Sequence, residues 1–334
     1  MNGRLLVFNC HEAWVHQLRL LDRPIDVVID LPGRHTRGWD ESIRPVPPNA
    51  RLIPLNDVLA APETYDCIVA HNLTDLLDVR SLPGPRLMVI HLTLDGMFLE
   101  QNAKSDPSEF RRAVTNFLAQ TNTHVVAVSQ LKGCSWGFAE NIVPLCIDPA
   151  DYLPCQGDLA AGLRVSNFVL RRARTLFWDF HESAFAGLPV TLVGNNPELP
   201  GVLPSRDWND LKHALSHHRF FIHTADPKLE DGYNTATLEA MAAGLPILGN
   251  RNPSSPITDG TDGFLSDNPA ELRQAAELLL KDRALAAKMG VAARQTAQQR
   301  FAPAKFTTAF THAIAVAQSK CQVSGRKKTR VAAH

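Results

Sequence analysis

The stretch LEDGYNTATLEAMAAGLPILGN, residues 229–250, contains most of one strand–helix–strand unit of an α/β fold. An apolar strand is predicted just before it at 220–223, a helix at 235–242 and a second strand at 246–248. Gly244 follows the last helical residues, as expected at a helix end, and the small residues before it allow close packing of helix and strand. The stretch therefore predicts a parallel sheet covered by helices.

The same alternation extends in both directions through the chain. Short apolar strands separated by amphipathic helices are typical of doubly wound parallel sheets, whose strands are buried on both faces. Strands are predicted at 5–9, 25–30, 67–70, 87–90, 124–128, 163–168, 190–193, 220–223 and 246–248. Helices are predicted at 12–21, 107–118, 130–138, 170–185, 208–216, 235–242 and 270–280, and through 283–318 apart from a break at 301–303.

A proline-rich segment divides this alternation into two halves. Residues 144–162, PLCIDPADYLPCQGDLAAG, contain three prolines and lack a regular period, which predicts an interdomain linker. The length of 334 residues also suits two domains. We predict one Rossmann-like domain at 1–150 and a second at 151–300, then a helix at 301–320 that packs back toward the first domain, and a basic disordered tail at 321–334.

Composition restricts the classes of partner. Lys plus Arg and Asp plus Glu are equal at 34 each, and this neutral balance argues against nucleic-acid binding through many phosphates. The six cysteines show neither a C-x-x-C pair nor zinc spacing, so we expect free thiols and a cytoplasmic setting. No stretch approaches the roughly 20 apolar residues that span a bilayer. The basic tail is interpreted as solvated, with weak contact to the inner membrane face as the alternative.

The turn before the predicted helix carries features of a phosphate site. Gly232 is expected to permit a tight turn with unusual backbone angles, and the residues up to Ala236 to present backbone N–H groups at a helix N-terminus. Asp231 precedes the helix and Glu239 lies about one turn inside it, so both carboxylates could face one ligand and accept hydrogen bonds from its hydroxyls. The alternative is a helix–strand unit with a solvated acidic turn.

This stretch resembles the signature of family-4 retaining glycosyltransferases of the GT-B type, in which an acid, seven residues and a glutamate precede a run like AMAAGLPIL. Asp231 and Glu239 match the pair, although the family usually has glutamate at the first position, and the adjacent Glu230 is the alternative for that role. The resemblance implies that the first acid holds hydroxyls of the transferred sugar and Glu239 holds the nucleotide ribose. The donor-binding turn between them comprises Gly232, Tyr233, Asn234 and Thr235.

Two further segments resemble the same family. In LRVSNFVLRRARTLFWDFHESAF, residues 163–185, the family usually has an arginine and, five positions later, a lysine that neutralise the diphosphate; here Asn167 and Arg172 stand at those positions, with Arg171 adjacent. Arg172 is the candidate leaving-group clamp, since a guanidinium can bind phosphate bidentately. The alternative is a solvated helix face. In VTLVGNNPEL, Gly194 and Asn195 are expected near the nucleotide.

The N-terminal half offers candidate residues at predicted strand ends, where ligands bind in open parallel sheets. His91 follows the run LMVI and matches the family's histidine that faces the donor sugar; a structural histidine is the alternative. His11 and Glu12 follow the first strand, where a helix cap with Glu12 in the first turn is the alternative. The remaining acceptor-side candidates at strand ends are Asp95, His71 and Asn72.

The resemblance implies transfer of a sugar from a nucleotide diphosphate to a hydroxyl of a glycan, a lipid-linked or a small-molecule acceptor, with retention at the anomeric carbon. The reaction centre is expected between the two domains, with His91, Asp231 and Arg172 as its catalytic residues and neither metal nor cofactor. Three alternatives remain: another GT-B enzyme (an inverting transferase or a nucleotide-sugar epimerase), a transferase acting on modified DNA bases, and a non-catalytic scaffold. Neutral charge disfavours the second, whereas the departures at Asn167 and Asp231 give the third some weight.

Overall fold

The computed structural model describes residues 3–34, 37–60 and 63–331, with side chains up to residue 322. The chain divides into two compact units. The first comprises Met1–Leu145 and Ala304–His334, and the second comprises Cys146–Pro303. The division falls at the start of the proline-rich segment 144–162. None of the helices in the described ranges is both long and apolar enough to span a bilayer.

The first unit contains a sheet of six parallel strands in the order β3-β2-β1-β4-β5-β6. The strands are β1 (Leu5–Phe8), β2 (Ile25–Ile29), β3 (Ala50–Pro54), β4 (Cys67–Ala70), β5 (Arg86–Ile90) and β6 (His124–Ala127). The five strands predicted for this half are confirmed. The edge strand β3 was not predicted, because it is only partly buried and ends in a proline. The strand order changes direction between β1 and β4, where ligand crevices form in such sheets.

Helices flank this sheet, and the last helix of the chain belongs to the same unit. They are α1 (Glu12–Val15), a 3-10 turn (His16–Leu20), α2 (Leu55–Ala60), α3 (Leu73–Asp78), α4 (Leu94–Glu100), α5 (Pro107–Gln120), α6 (Gln130–Trp136) and α12 (Pro303–Val331). Phe306 and Phe310 of α12 are buried, with ring centroids 6.4 and 6.0 Å from that of Trp14. The helix continues to Val331, whereas the sequence predicted a disordered tail from residue 321. Lysine and arginine are good helix formers, and no proline interrupts this segment.

The second unit contains a sheet of five parallel strands in the order β11-β10-β9-β7-β8. The strands are β7 (Leu159–Val165), β8 (Val190–Val193), β9 (His218–Ile222), β10 (Ile247–Gly249) and β11 (Gly263–Leu265). The helices are α7 (Trp178–Phe185), α8 (Trp208–His217), α9 (Thr235–Ala243), α10 (Pro269–Lys281) and α11 (Arg283–Arg300). The four strands predicted here are confirmed within a few residues, and the three-residue β11 was not predicted.

The predicted helix over 170–185 is wrong in its first half. Residues 169–177 form successive turns, and α7 begins only at Trp178. Phe168 and Phe177 have φ angles of 53° and 49°, which a right-handed helix cannot contain. The buried Arg164 fixes this turn segment, because its guanidinium donates to Thr224 Oγ1 at 2.7 Å and to the Leu176 carbonyl at 3.1 Å. Apolar periodicity alone does not reveal such a long-range anchor.

His181 on α7 is buried in the core of the second unit. Its ring stacks on that of Trp178 at 4.5 Å and lies 5.1 Å from that of Phe185. Burial, followed by the positive charge of Arg164, lowers the pKa of His181 to about 2. The unfolded chain, with a histidine pKa of about 6.5, therefore takes up a proton that the folded chain does not accept. This stabilising contribution is fully present above pH 6.5 and is lost as the pH falls below that value.

We expect His181→Phe to reduce the loss of stability between pH 7.5 and pH 5.5. Phenylalanine keeps the aromatic contacts but does not titrate, so the loss over this interval should shrink by about 1.4 kcal/mol. Urea denaturation of the wild type and the variant at both pH values measures the difference. The exposed His213, replaced by glutamine, is the matched control and should retain the wild-type dependence. An unchanged loss in His181→Phe would contradict the argument.

Candidate functional site

In the second unit, the loops that follow four neighbouring strands begin at one edge of the sheet. Asn167 and Gly194 lie one or two residues beyond β7 and β8, and His223 and Asn250 come directly after β9 and β10. In a parallel sheet, the carboxyl ends of all strands lie on the same side, where ligands bind. This edge therefore collects most of the donor-side residues singled out in the sequence.

The acidic loop after β9 is held by the segment after β10. The Asn250 side chain accepts from the Ala225 N–H and donates to the Ala225 carbonyl, both at 3.0 Å. Asn252 Nδ2 donates to the Glu230 carbonyl at 3.1 Å. These bonds satisfy buried backbone groups that would otherwise be costly to bury, and they give the loop a defined shape before any ligand binds.

Gly232 serves a purpose different from the one predicted. It does not have a positive φ, so the expectation of unusual backbone angles is wrong. A Cβ at this position would lie 2.8 Å from Asn252 Cβ and 2.9 Å from Ser255 Cα, so the glycine permits two segments to approach closely. Its N–H donates to Ser254 Oγ at 2.8 Å, which removes this amide from the predicted phosphate-facing set.

Helix α9 begins at Thr235, as predicted. Asn234 is the N-cap, and its Oδ1 accepts from the Thr237 N–H at 2.9 Å. The backbone N–H groups of Thr235 and Ala236 precede the first hydrogen bond of the helix, from Leu238 N to Asn234 O. Two amides and the positive end of the helix dipole thus meet at this point, an arrangement that favours a phosphate.

The three acidic side chains of this segment are buried. Relative exposure is 7% for Glu230, 1% for Asp231 and 3% for Glu239. The alternative of a solvated acidic turn is therefore wrong. The hydroxyl of Tyr152 donates to Glu239 Oε1 at 3.0 Å and so orients this carboxylate. Burying carboxylates is unfavourable unless they are hydrogen-bonded or paired, and the Tyr152 hydroxyl and the Arg172 guanidinium provide such partners for Glu239 and Glu230.

His223 and Tyr152 were not singled out in the sequence, although both contact the acidic residues. His223 Nε2 lies 3.1 Å from the Asp231 carbonyl oxygen. Burial lowers the pKa of His223 to about 4, so the ring is neutral at pH 7, although the Asp231 carbonyl and the charges of Glu230 and Asp231 act in the opposite direction. His223 ends a predicted strand, a signal that could have marked it. Tyr152 lies 87 residues from Glu239 and has no local signal.

Of the neighbouring arginines, Arg172 lies against the acidic loop. Its Nη2 is 4.0 Å from Glu230 Oε2, and a quarter of its side chain is exposed. Arg171 is exposed and stacks on the Phe168 ring, with its guanidinium carbon 4.2 Å from the ring centroid. Arg174 is also exposed. The alternative of a solvated helix face fails for Arg172, since this residue lies in a turn beside buried acids.

Asn167 and Gly194 stabilise the loops at this edge of the sheet. Asn167 Oδ1 accepts from the Asn195 N–H at 2.8 Å and so joins the loops after β7 and β8. Gly194 has a φ of 146°, and an added Cβ would lie 2.2 Å from the Ser166 carbonyl oxygen, so only glycine fits. The asparagine that replaces the expected arginine thus contributes a turn contact, and Arg172 is the one cation at these two positions.

In the first unit, three side chains at neighbouring strand ends lie together. His91 follows β5, as predicted, His71 follows β4, and Cys10 lies two residues after β1. His71 Nδ1 is 2.9 Å from His91 Nε2, and Cys10 Sγ is 3.8 Å from the same nitrogen. Both imidazoles meet the Trp14 ring edge to face, at 4.9 and 5.1 Å.

The other N-terminal candidates are placed differently. Glu12 is buried, and its Oε1 accepts from Asn9 Nδ2 at 2.9 Å and from the Asp40 N–H at 3.3 Å, so it shapes a loop. His11 occupies the N-cap position of α1 but makes no side-chain capping bond, so the cap interpretation fails for it. Asp95 is exposed in the first turn of α4. Asn72 caps α3 by accepting from the Asp75 N–H at 2.9 Å.

Comparison with known proteins gives one family match and several structures of similar fold. A protein-family model described as "Glycosyl transferase-like" matches residues 171–310. No curated protein sequence matches the chain.

Among solved structures, HepE of Anabaena in complex with UDP and glucose aligns with a TM-score of 0.66 at 14% identity, over 94% of this chain and 100% of that one. A glycosyltransferase from Rickettsia africae aligns with a TM-score of 0.58 at 12% identity, over 94% and 98% of the two chains. WaaG, a glycosyltransferase involved in lipopolysaccharide biosynthesis, aligns with a TM-score of 0.58 at 13% identity, over 94% and 99%. The predicted fold, two parallel-sheet α/β domains of the GT-B type, is thereby confirmed.

Proposed function

We propose that this chain is a glycosyltransferase that takes its sugar from a UDP-sugar and transfers it, with retention, to a hydroxyl acceptor. The choice of UDP is supported by the structures of similar fold, since HepE is described with UDP-glucose and TarM of S. aureus with UDP. Retention is supported by the resemblance of residues 231–248 to the family-4 signature. The acceptor class comprises glycans, lipid-linked sugars and small hydroxylated molecules.

The observation that carries this proposal is the position of Arg172 beside the buried acidic loop. Arg172 contacts Glu230 of this loop, and helix α9 begins five residues after Glu230. Breaking the bond between sugar and phosphate leaves negative charge on the departing diphosphate. Arg172 and the N–H groups of Thr235 and Ala236 are positioned donors that stabilise this charge. We propose that these three groups stabilise the negative charge of the diphosphate and that no metal ion takes part in this contact.

In this proposal the buried acids contact the remaining parts of the nucleotide sugar, the ribose and the transferred sugar. Glu239, oriented by Tyr152, accepts hydrogen bonds from the ribose hydroxyls. Glu230 faces Arg172 and positions the guanidinium, which leaves Asp231 as the acid that holds the transferred sugar. The exposed His11 and Asp95 remain candidates for contact with the acceptor.

A thermal-shift screen of UDP-, GDP-, ADP- and CDP-sugars tests the proposal. A donor that binds only the folded chain stabilises it by about 2.7 kcal/mol at 100 times its Kd, so UDP-sugars should raise the Tm most. Mass spectrometry of the products formed with simple hydroxyl acceptors, followed by NMR of the anomeric proton, tests transfer and retention. Failure of all four nucleotide sugars to raise the Tm would overturn the proposal. Stabilisation by UDP without transfer or hydrolysis would favour a scaffold.

A further inference from the structure

The three side chains at the edge of the first sheet form a compact set of metal-ligand atoms. Cys10 Sγ and one ring nitrogen from each of His71 and His91 all lie within 4.8 Å of one another. The topology brings them together, because β1, β4 and β5 are adjacent and parallel, and each residue follows the carboxyl end of its strand. In the described part of the chain, this is the one such group with three or more members.

Two of the three separations lie within about 0.4 Å of those in a tetrahedral metal site, and the third, between Cys10 and His71, is at most 4.8 Å. Metal–nitrogen bonds of about 2.05 Å and metal–sulfur bonds of about 2.3 Å place two nitrogens roughly 3.3 Å apart, and nitrogen and sulfur roughly 3.6 Å apart. The observed distances are 2.9 Å between His71 Nδ1 and His91 Nε2 and 3.8 Å between His91 Nε2 and Cys10 Sγ. Shifts of a few tenths of an ångström convert the hydrogen-bonded pair into a ligand set.

We propose that Cys10, His71 and His91 bind one zinc-type divalent transition-metal ion. One thiolate and two imidazoles are the ligand types that such ions prefer. Three protein ligands leave the fourth tetrahedral position to water or another small ligand. All three residues are of intermediate burial. When the sulfur–metal bond forms, the thiol proton passes to solvent.

Charged side chains of both signs act on the cluster: the carboxylates of Asp75 and Glu12 on Cys10, and the ammonium of Lys132 on His91. Burial raises the pKa of the Cys10 thiol, and the negative charges of Asp75 and Glu12 raise it further. The same charges that disfavour a thiolate attract a positive ion, which in turn stabilises the thiolate.

The cluster and the proposed donor site are made of different residues. The cluster lies in the first unit and departs from the expectation that the chain holds no metal. It also gives His91 the role of metal ligand in place of the sugar-facing role implied by the family resemblance. The sequence could not show the site, because Cys10 and His91 are separated by 81 residues and have no zinc-binding spacing.

Titration of the full-length protein with Co²⁺, after removal of metals by chelation and desalting, tests the proposal. We expect one equivalent to bind, with a thiolate-to-cobalt charge-transfer band that disappears when Zn²⁺ is added. The readout does not depend on transferase activity, so failure of the proposed function would leave it intact. A wild-type protein that binds no stoichiometric Co²⁺, or binds it without this band, would overturn the site.

Variants then assign the ligands. Cys10→Ala should abolish the band. Both Cys10→Ala and His71→Ala should weaken Co²⁺ binding by about 100-fold or more, because loss of a residue that only hydrogen-bonds to a metal ligand already lowers metal affinity by about 10- to 100-fold. Cys134→Ala is the matched control, because that thiol is exposed and lies outside the cluster. Thermal melts check folding, and Cys10→Ser replaces Cys10→Ala if the latter unfolds. A band of unchanged intensity in the Cys10 variant would exclude the assignment.

Discussion

Replacing Arg172 with alanine is expected to lower kcat for sugar transfer by about 10²- to 10³-fold, the cost typical of removing one positioned charge-stabilising donor. The guanidinium lies against the acidic loop, with Nη2 4.0 Å from Glu230 Oε2, and Arg172 is less exposed than the neighbouring Arg171 and Arg174. In our proposal its contribution grows as charge develops on the leaving diphosphate, so the effect should appear in kcat more than in the KM for the donor.

Arg174→Ala provides the comparison for this experiment. Arg174 is exposed in the same turn segment, so its removal changes net charge equally and should alter kcat less than threefold. Arg172→Lys should give an intermediate rate, since lysine keeps the charge but cannot bind phosphate bidentately. UDP release is measured at saturating donor, and circular dichroism checks folding. Wild-type kcat in folded Arg172→Ala would remove this residue from the mechanism.

Replacing Glu239 with alanine is expected to weaken UDP binding by about 10- to 100-fold, because hydrogen bonds to a charged group contribute about 1.5–3 kcal/mol. The carboxylate is 3% exposed and accepts a hydrogen bond from the Tyr152 hydroxyl at 3.0 Å. In our proposal this carboxylate also accepts from the ribose hydroxyls. Isothermal titration calorimetry with UDP measures the loss directly.

A donor analogue separates ribose recognition from a merely structural effect. The wild type should bind UDP more tightly than 2′-deoxy-UDP, and Glu239→Ala should bind the two almost equally. Tyr152→Phe keeps the aromatic ring but loses the orienting bond, so it should retain a reduced preference. If the preference for UDP persists undiminished in folded Glu239→Ala, another residue recognises the ribose.

The local pattern of apolar and polar residues was sufficient to predict most strands of the two sheets and the helix at the centre of the candidate site. The four-residue apolar run at β4 predicted that strand to the residue, because a strand buried on both faces of a sheet requires apolar side chains throughout. Helix α9 could also be predicted from the sequence, since Asn234 caps its first turn and Gly244, with a φ of 94°, ends it. These signals lie within a few residues of the structure they determine.

The sequence by itself therefore determined the two-sheet architecture and the position of the acidic turn. Only the tertiary structure decided which side chains meet: Arg172 with Glu230, Tyr152 with Glu239, and Cys10 with His71 and His91. These contacts depend on strand order, such as the adjacency of β1, β4 and β5, and on distant anchors such as the buried Arg164. Periodicity reports which face of an element is buried, whereas strand order and packing determine what lies opposite that face.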